Sequence, residues 1–188
     1  PGPPIGPSNM DTVFDLAIAD FTQARTDAQA IGRADLALTA LALRARAHYA
    51  KALWTKMQPA GTVPANPLVN DAAAVADANT FFQEVTESDW VFRFNFSSQT
   101  ITSRAASWAN QRNEVVVGIA YGTPDASGLR LGAITLEDPI SGEPDPALIE
   151  ITDEFIAGIQ YSPVRVVTAR ELRLILAEAA LAAGNTGA

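Results

Sequence analysis

The sequence predicts a mainly α-helical fold with long irregular loops and one or two short strands. The hydrophobic fraction is 48% of 188 residues, and much of it is alanine gathered in three stretches, where alanine favours helix because it loses no side-chain entropy there. Apolar residues recur at helical spacing in the same stretches. Residues that cap or break helices lie near the ends of these stretches. The length is enough for a single helical domain over 1–188 with a substantial core.

The first third of the chain predicts two helices in a hairpin. Residues 1–9 are rich in Pro and Gly and are expected to form an extended lead-in. An apolar stripe over 13–28 indicates the first helix, and Gly32 is placed to end it. A second helix is expected over 33–57, with an apolar arc so wide that the helix should be packed on more than one side. The short glycine-containing turn between them favours an antiparallel pair.

The middle of the chain predicts shorter elements separated by loops. A third helix is expected over 70–87, and alternation of aromatic with other residues over 90–96 indicates a strand. A short helix fits 104–110, and the β-branched run 114–121 indicates a buried strand. Residues 122–150 are dense in Gly, Pro and Asp and predict a long loop, followed by a short helix near 153–159. The third helix is expected to bury Val75, Ala78, Phe81, Phe82 and Val85.

The last helix has the most distinct sequence signals. Thr168 and Glu171 form a capping box at its start, and Gly184 should end it. The residues predicted to pack it are Leu172, Leu174, Ile175, Leu176 and Leu181.

Charge and composition exclude several classes of function. The formal net charge is −8 and the 13 Lys and Arg residues are scattered, so nucleic acid is not expected as a partner. The chain has no cysteine, which excludes disulfides, thiolate zinc sites and cysteine nucleophiles. No apolar run reaches the roughly 20 residues that a membrane-spanning helix needs.

The sequence offers no convincing catalytic group. His48 is the only histidine, and it shares a cationic helix stripe with Arg44 and Lys51, without a carboxylate at helical spacing. A general base needs an orienting acid and a metal ligand needs companions, so a solvated histidine is the favoured interpretation. Serine nucleophiles lack a base, and nucleophile-elbow, dinucleotide and phosphate-loop motifs are absent. We therefore predict a protein that is not an enzyme and has neither a metal nor a cofactor.

The carboxylates leave two alternatives beside a structural role. No spacing singles out a glycosidase-like acid pair. The acids Glu137, Asp138, Glu143 and Asp145 share one loop. A calcium site there is the alternative to a solvated acidic loop, but the EF-hand spacing is missing. Glu178 lies in an apolar helix and is expected to form an ion pair with an arginine such as Arg46.

Aromatic residues are the best ligand-binding candidates. Trp90, Trp108 and Tyr121 lie in or beside non-helical segments, where binding residues concentrate. The C–H faces of sugar rings stack on such side chains. For Trp90 the favoured alternative is a core position shared with the other aromatic residues of 90–96. For Trp108 and Tyr121 both interpretations stay open.

Three segments, in order, resemble the SusD/RagB family of nutrient-binding lipoproteins. They are RADLALTALALRARAHYAKAL at 33–53, NEVVVGIAY at 113–121 and RELRLILAEAALAAGNT at 170–186. The first is similar to the family's "A-x-AL-x-AR" helix, the second to its "N-E-hydrophobic" segment, and the third to its "R-x-x-E-x-x-L-x-x-AEA" helix. Together they cover about a quarter of the chain by motif.

The resemblance implies a SusD-like fold with tetratricopeptide-like helical pairs, whose loops carry an oligosaccharide or peptide ligand. It also implies a lipid-anchored position on the outer face of a bacterial outer membrane. The expected partner is a SusC-like TonB-dependent transporter, to which the ligand is delivered. The chain is then expected to be a segment of a longer protein, with the membrane anchor outside it. The alternative function is a tetratricopeptide-like scaffold that binds protein partners.

Overall fold

The computed structural model describes the following residues of the chain: 6, 9–58, 64–85, 87, 89–112 and 136–185. The described residues are mainly helical, as predicted. The predicted strand at 114–121 and the first part of the predicted loop lie outside them. The chain divides into a helical unit, Pro1–Phe92 with Val167–Ala188, and a middle unit, Arg93–Val166. Each unit is described by itself, and the single domain over 1–188 stays a prediction.

The helical unit begins with two long helices that pack against each other. They are α1 (Met10–Ala30) and α2 (Ala34–Lys56). Gly32 follows the end of α1 with φ +72°, a backbone conformation that costs glycine little and other residues more. The predicted ends of both helices are therefore confirmed to within a few residues.

Helix α2 lies at the centre of the helical unit. It contacts α1 and two further helices, α3 (Ala72–Glu84) and α6 (Ala169–Ala182). Its buried residues are Ala37, Thr39, Ala40, Leu41, Ala42, Ala45 and Ala47. These residues point in several directions around the helix, which confirms that α2 is packed on more than one side.

The core of the helical unit forms where α2, α3 and α6 meet. The side chain of Asp71 begins α3 by accepting a hydrogen bond from the backbone N–H of Ala74 at 2.8 Å, which satisfies one of the free donors of the first turn. Phe81 and Leu172 are fully buried here. The buried core residues are Leu41, Ala42, Ala45, Ala74, Ala78, Phe81, Val85, Val167, Ala169, Leu172 and Ile175.

Helix α6 confirms its predicted start but not all of its predicted packing. The Thr168 hydroxyl accepts a hydrogen bond from the backbone N–H of Glu171 at 3.1 Å, which is one half of the predicted capping box. Both oxygens of the Glu171 carboxylate bond Arg46 instead. Leu172 and Ile175 are buried, but Leu174 is 69% exposed and Leu181 is 51% exposed. The prediction for these two leucines was wrong because they lie seven residues apart on a different helix face from the buried pair.

Two charged side chains of α2 pair with carboxylates on neighbouring helices. The Arg44 guanidinium donates to both carboxylate oxygens of Asp77 in α3, at 2.7 and 2.6 Å. Both side chains are largely buried. The two hydrogen bonds pair the guanidinium with the carboxylate, so neither charge is left unpaired in the interior. Lys51 donates to Asp15 in α1 at 2.5 Å. Arg44 and Lys51 of the cationic stripe thus form ion pairs with carboxylates on other helices.

The prediction that Glu178 pairs with an arginine such as Arg46 was wrong. Arg46 instead donates to both oxygens of Glu171, in the first turn of α6. The Glu178 carboxylate accepts from the Tyr49 hydroxyl at 2.7 Å and from the backbone N–H of Val69 at 2.8 Å. The carboxylate of Glu178 is therefore hydrogen-bonded to a hydroxyl and a backbone amide, and not to the cation that was expected.

The middle unit contains shorter elements. A helical segment begins as α4 (Arg104–Ala106) and continues as a π-helical turn at Ser107–Gln111, where a short helix was predicted. Two strands, β1 (Val91–Phe94) and β2 (Val164–Thr168), pair in a two-stranded sheet, and the division between the units falls within both. Strand β1 is shorter than predicted, and β2 was not predicted.

Helix α5 (Pro146–Ala157) contradicts the predicted end of the long loop. The prediction placed residues 122–150 in a loop and a short helix near 153–159. The helix begins earlier because the Asp145 side chain accepts from the backbone N–H groups of Ala147 and Leu148. Pro146 suits the first helical position, since its fixed φ is helical and its missing N–H has no partner there.

The Tyr49–Glu178 contact predicts a stability that falls in alkaline solution. Partial burial, and then the hydrogen bond to the Glu178 carboxylate, raise the pKa of Tyr49 to about 12. An unfolded tyrosine has a pKa of about 10. The folded state therefore favours the neutral phenol, and this stabilisation is complete below about pH 10 and is lost as the pH rises towards about 12.

We expect Tyr49→Phe to lose less unfolding free energy between about pH 10 and 12 than the unmodified chain does. At neutral pH the same variant should be less stable by about 1 kcal/mol, because one hydrogen bond is lost. Urea unfolding at a series of pH values measures both effects, and Tyr161→Phe is the matched control. Equal alkaline losses in Tyr49→Phe and the unmodified chain would contradict this assignment.

Candidate functional site

The three aromatic candidates lie in different surroundings. The half-buried ring of Trp90 packs edge-on against Phe81, with ring centroids 4.9 Å apart, which is the core position that the alternative interpretation describes. Trp108 is 39% exposed and lies in the middle unit. Tyr121 lies outside the described residues. Trp108 is therefore the aromatic residue around which a site can be described.

Trp108 is held in the π-helical turn of the middle unit. The Ser103 side chain begins the segment by accepting from the backbone N–H of Ala106 at 3.3 Å. The backbone N–H of Arg112 bonds the carbonyl of Ser107 at 3.0 Å, five residues back, which widens the helix. Such π-turns are frequent at functional sites.

A cation lies over the Trp108 ring. The guanidinium carbon of Arg104 is 5.7 Å from the ring centroid, which is within the range of a cation–π contact. Such a contact at an exposed site stabilises by about 0.5–1 kcal/mol. The guanidinium occupies one face of the indole, and the residue stays 39% exposed. Arg104 is itself exposed and keeps N–H donors for other partners.

Asn110 fixes the turn that carries Trp108 to the end of α5. Its side-chain amide donates to the carbonyl of Phe155 at 3.0 Å and to that of Ile159 at 2.7 Å. Ile159 has φ +52°, which is uncommon for a β-branched residue because its side chain is crowded there. The Ser162 hydroxyl lies within hydrogen-bonding distance of both carbonyls and can donate its one proton to either. Carbonyl groups left free at the end of a helix are thus satisfied by two side chains.

Close backbone approach in this region requires glycine at one position. A Cβ atom on Gly158 would lie 2.5 Å from the Cα of Ser162, closer than any real contact. Ser162 is fully buried, and the backbone N–H of Ser103 bonds the carbonyl of Gln160 at 2.8 Å. The segment after α5 is therefore held tightly against the start of α4.

A cavity of about 290 Å³ lies in the middle unit. Ala105, at the start of the helical segment, lines it, whereas Trp108 is not among its lining residues. The lining residues are Ala105, Glu154, Phe155, Pro163, Val164 and Arg165.

Two arginines, of which only Arg165 lines the cavity, share the carboxylate of Glu154. Arg93 in β1 donates through Nη1 to Oε1 of Glu154 at 2.7 Å. Arg165 in β2 donates through Nε to Oε2 at 2.9 Å, and its Nη2 bonds the same oxygen. All three side chains are about one-third exposed. The group carries one net positive charge and stays accessible to solvent.

Sequence reasoning missed these three charged residues. Arg93 alternates with aromatic residues in a predicted strand, which marks it as pointing away from them but indicates no role. Glu154 lies 61 positions from Arg93 and 11 from Arg165. No motif at those separations predicts that the three side chains meet, and only the fold brings them together.

In the helical unit, His48 shares a cavity with two carboxylates that come from outside its own helix, α2. This cavity of about 480 Å³ has His48 among its lining residues, together with Asp15, Lys51 and Asp71. Asp15 belongs to α1 and Asp71 precedes α3, so helical spacing within α2 could not predict them. In the described part of the chain, no three His, Asp or Glu side chains form a group that could hold a metal ion.

The acidic loop forms a local turn. Oδ1 of Asp138 accepts from the backbone N–H groups of Ile140 and Ser141, at 2.7 and 2.9 Å. These two hydrogen bonds lower the pKa of Asp138, since they stabilise the carboxylate form. Glu137 pairs with Pro144 in an antiparallel bridge. The Asp145 carboxylate accepts from the backbone N–H of Ala147 in the first turn of α5. Two of the four acids, Asp138 and Asp145, are therefore already bonded to backbone amides.

Comparison with protein-family models, with curated proteins and with solved structures finds no match to this chain. Among the described residues, no helix has both the length and the apolar character needed to cross a membrane. The site must therefore be interpreted from its own geometry.

We expect Asn110→Ala to destabilise the chain by about 1–3 kcal/mol, because it removes two hydrogen bonds and leaves partly buried carbonyls without them. The same change should increase the solvent exposure of Trp108, whose turn Asn110 fixes. Denaturant unfolding and acrylamide quenching of tryptophan fluorescence measure the two effects. Gln99→Ala, at an exposed position of the same unit, is the control, and equal behaviour of the two variants would show that Asn110 does not anchor the turn.

Proposed function

We propose that this chain binds a nutrient ligand without catalysis, and that the ligand is an oligosaccharide. The observation that carries the proposal is Trp108, an exposed indole held in a fixed turn of the middle unit, the unit that also contains the cavity lined by Ala105. Ligand sites are typically concave, with aromatic surface and a few polar groups that set orientation. The cavity supplies a concave surface with two charged groups, Glu154 and Arg165, and Trp108 supplies exposed aromatic surface in the same unit.

The chemistry of the surrounding side chains suits a sugar. The indole offers an apolar face against which the C–H face of a sugar ring can be buried. Arg165 lines the cavity and Arg104 lies over the indole. Guanidinium groups have several N–H donors, which sugar hydroxyls can accept. Stacking then supplies affinity and the arginines supply orientation.

The absence of a catalytic step in this proposal rests on Glu154. It is the one carboxylate among the lining residues of the cavity, and both of its oxygens already accept from guanidinium groups. Glycoside hydrolysis needs two carboxyl groups on either side of the scissile bond, one of them available to donate a proton. The lining residues of the cavity therefore supply one carboxyl group where hydrolysis needs two.

The location and the partner in this proposal rest on the resemblance to the SusD/RagB family. In this proposal the chain belongs to a lipid-anchored protein at the surface of a bacterial outer membrane. It would deliver its ligand to a SusC-like TonB-dependent transporter. The mainly helical fold is compatible with the tetratricopeptide-like pairs of that family, and α2 and α6 carry two of the three resembling segments.

A second candidate is a tetratricopeptide-like scaffold for a protein partner. A groove of about 510 Å³ in the helical unit favours it. Leu174 and Leu181 of α6 are exposed there, and Tyr49 and Leu68 also line the groove. Apolar helix surface of this kind can accept another helix.

We expect the purified chain to bind members of a glycan array, and Trp108→Ala to weaken that binding about tenfold or more, which corresponds to about 1.4 kcal/mol. The loss follows from removal of the aromatic face. Trp108→Phe should keep much of the affinity. Leu174→Ala, an exposed change in the helical unit, is the matched control and should leave affinity unchanged.

Two results would count against the proposal. A folded chain that binds no glycan would contradict oligosaccharide binding and favour the scaffold. Glycan binding that is equally strong in Trp108→Ala would show that stacking on this indole does not carry the function.

A further inference from the structure

We propose that the apolar groove along α6 binds an amphipathic helix of a partner protein, and that this helix carries a lysine or arginine beside its apolar face. The groove has a volume of about 510 Å³, and all of its lining residues belong to the helical unit. This inference names the partner of the second candidate function. It does not depend on glycan binding at Trp108.

A regular stripe of α6 side chains lines the groove. Leu174 and Leu181 lie seven residues apart, and Ala177 lies between them. Leu174 is 69% exposed and Leu181 is 51% exposed, although both are strongly apolar. Tyr49 of α2 and Leu68 also line the groove. Leucines repeated at this interval on one helix face are the pattern by which two helices pack side by side.

The groove suits a helix better than an extended strand or a small molecule. A peptide strand binds by adding to a free sheet edge, whereas the backbone of α6 is hydrogen-bonded within its own helix. Small-molecule sites enclose most of the ligand surface, whereas Leu174 is more than two-thirds exposed. From Glu171 to Leu181 the helix rises by about 15 Å, which matches roughly three turns of a partner helix.

Both charged residues that line the groove are carboxylates. Glu171 and Glu178 lie seven residues apart beside the leucine stripe. Both oxygens of Glu171 accept from the Arg46 guanidinium, so this carboxylate is already paired. Within the described part of the chain, the oxygens of Glu178 accept from the Tyr49 hydroxyl and the Val69 amide and from no cation. One negative charge in the groove is therefore left without a positive partner.

The Glu178 carboxylate determines the chemistry of the partner. A carboxylate has about four lone-pair positions, so its two hydrogen bonds leave room to accept from a cation. Acidic residues that flank an apolar helix stripe pair with Lys or Arg of the facing helix and thereby select the partner. Glu178 is half-buried, and a charge pair there is stronger than one in open water. The net charge of −8 also attracts a basic partner from a distance.

The same charge argues against a second copy of this chain as the occupant. Self-association would bring together two chains that each carry a net charge of −8. Pairing through α6 would also add a second Glu178 carboxylate to the interface, whereas a basic helix neutralises the first. Like charges brought together at an interface oppose association. A basic helix is therefore the occupant that the groove favours.

The test selects helices without assuming their sequence. A displayed library of helix-stabilised peptides of about four turns, with their surface positions randomised, would be panned against the whole chain. We expect the selected peptides to carry apolar residues at helical spacing with a lysine or arginine beside them. Changing that basic residue to glutamate should weaken binding about tenfold or more, measured by fluorescence anisotropy. Raising NaCl from about 50 to 500 mM should weaken binding of the basic peptide, because salt screens the attraction.

Variants assign the binding to the groove. Leu174→Ala should weaken peptide binding about tenfold, because it removes apolar contact surface. Leu16→Ala, at a leucine of α1 that is 61% exposed, is the matched control. Glu178→Gln should weaken the basic peptide about fivefold and remove its advantage over the glutamate peptide. Glu150→Gln makes the same charge change at an exposed position outside the helical unit and should leave both peptides unchanged.

Three results would overturn the inference. The first is a library that yields no peptide whose binding depends on Leu174, or only peptides without a basic residue. The second is a preference for basic peptides that Glu178→Gln leaves unchanged. The third is a dimer of the chain in sedimentation velocity that Leu174→Ala dissociates, which would assign the groove to a second copy.

The two proposals fail separately. Trp108→Ala should leave peptide binding unchanged, and Leu174→Ala should leave glycan binding unchanged. Absence of glycan binding would therefore contradict the oligosaccharide proposal and leave the groove inference standing. Glycan binding without selection of any basic helix would do the reverse.

Discussion

Close packing against the small side chains of α2 is the constraint on which the rest of the helical unit depends. Ala42 and Ala45 are fully buried in the core that α2 shares with α3 and α6. Alanine lets a helix axis approach its neighbours closely, and a larger side chain at these positions would meet a core that is already filled. Because the helices are this close, Arg44 and Arg46 reach carboxylates on α3 and α6. The ion pairs are thus a consequence of the packing.

The long helices could be predicted because their signals are local. The arc of apolar residues on α2 fixes how many neighbours it has, and the Thr168 cap and the glycine at position 32 fix where helices begin and end. The exposure of Leu174 and Leu181 could not be predicted, because apolar residues also occur on protein surfaces. Their presence on a helix therefore does not show which helix face packs against the core. The same limit explains Glu178, whose partners Tyr49 and Val69 come from distant segments.

The middle unit was predicted less well because it is held by side chains that bond to backbone groups far away in sequence. Asn110 bonds carbonyls 45 and 49 positions later, and no periodicity predicts such a contact. The start of α5 did have a local signal, the Asp145–Pro146 pair, but it follows a run of Gly and Pro that resembles a loop throughout. Of the candidate site, only Trp108 could be named from sequence. The charged group of Arg93, Glu154 and Arg165 depends on the fold.

The packing of α2 is tested most directly by enlarging one buried alanine and measuring the free energy of unfolding by denaturant. Ala45 is fully buried, so Ala45→Leu should destabilise the chain by about 1–3 kcal/mol through overpacking. Ala76 lies exposed in α3, and Ala76→Leu should change the stability by less than about 0.5 kcal/mol. If Ala45→Leu is as stable as Ala76→Leu, the small side chains of α2 are not what the helical unit depends on.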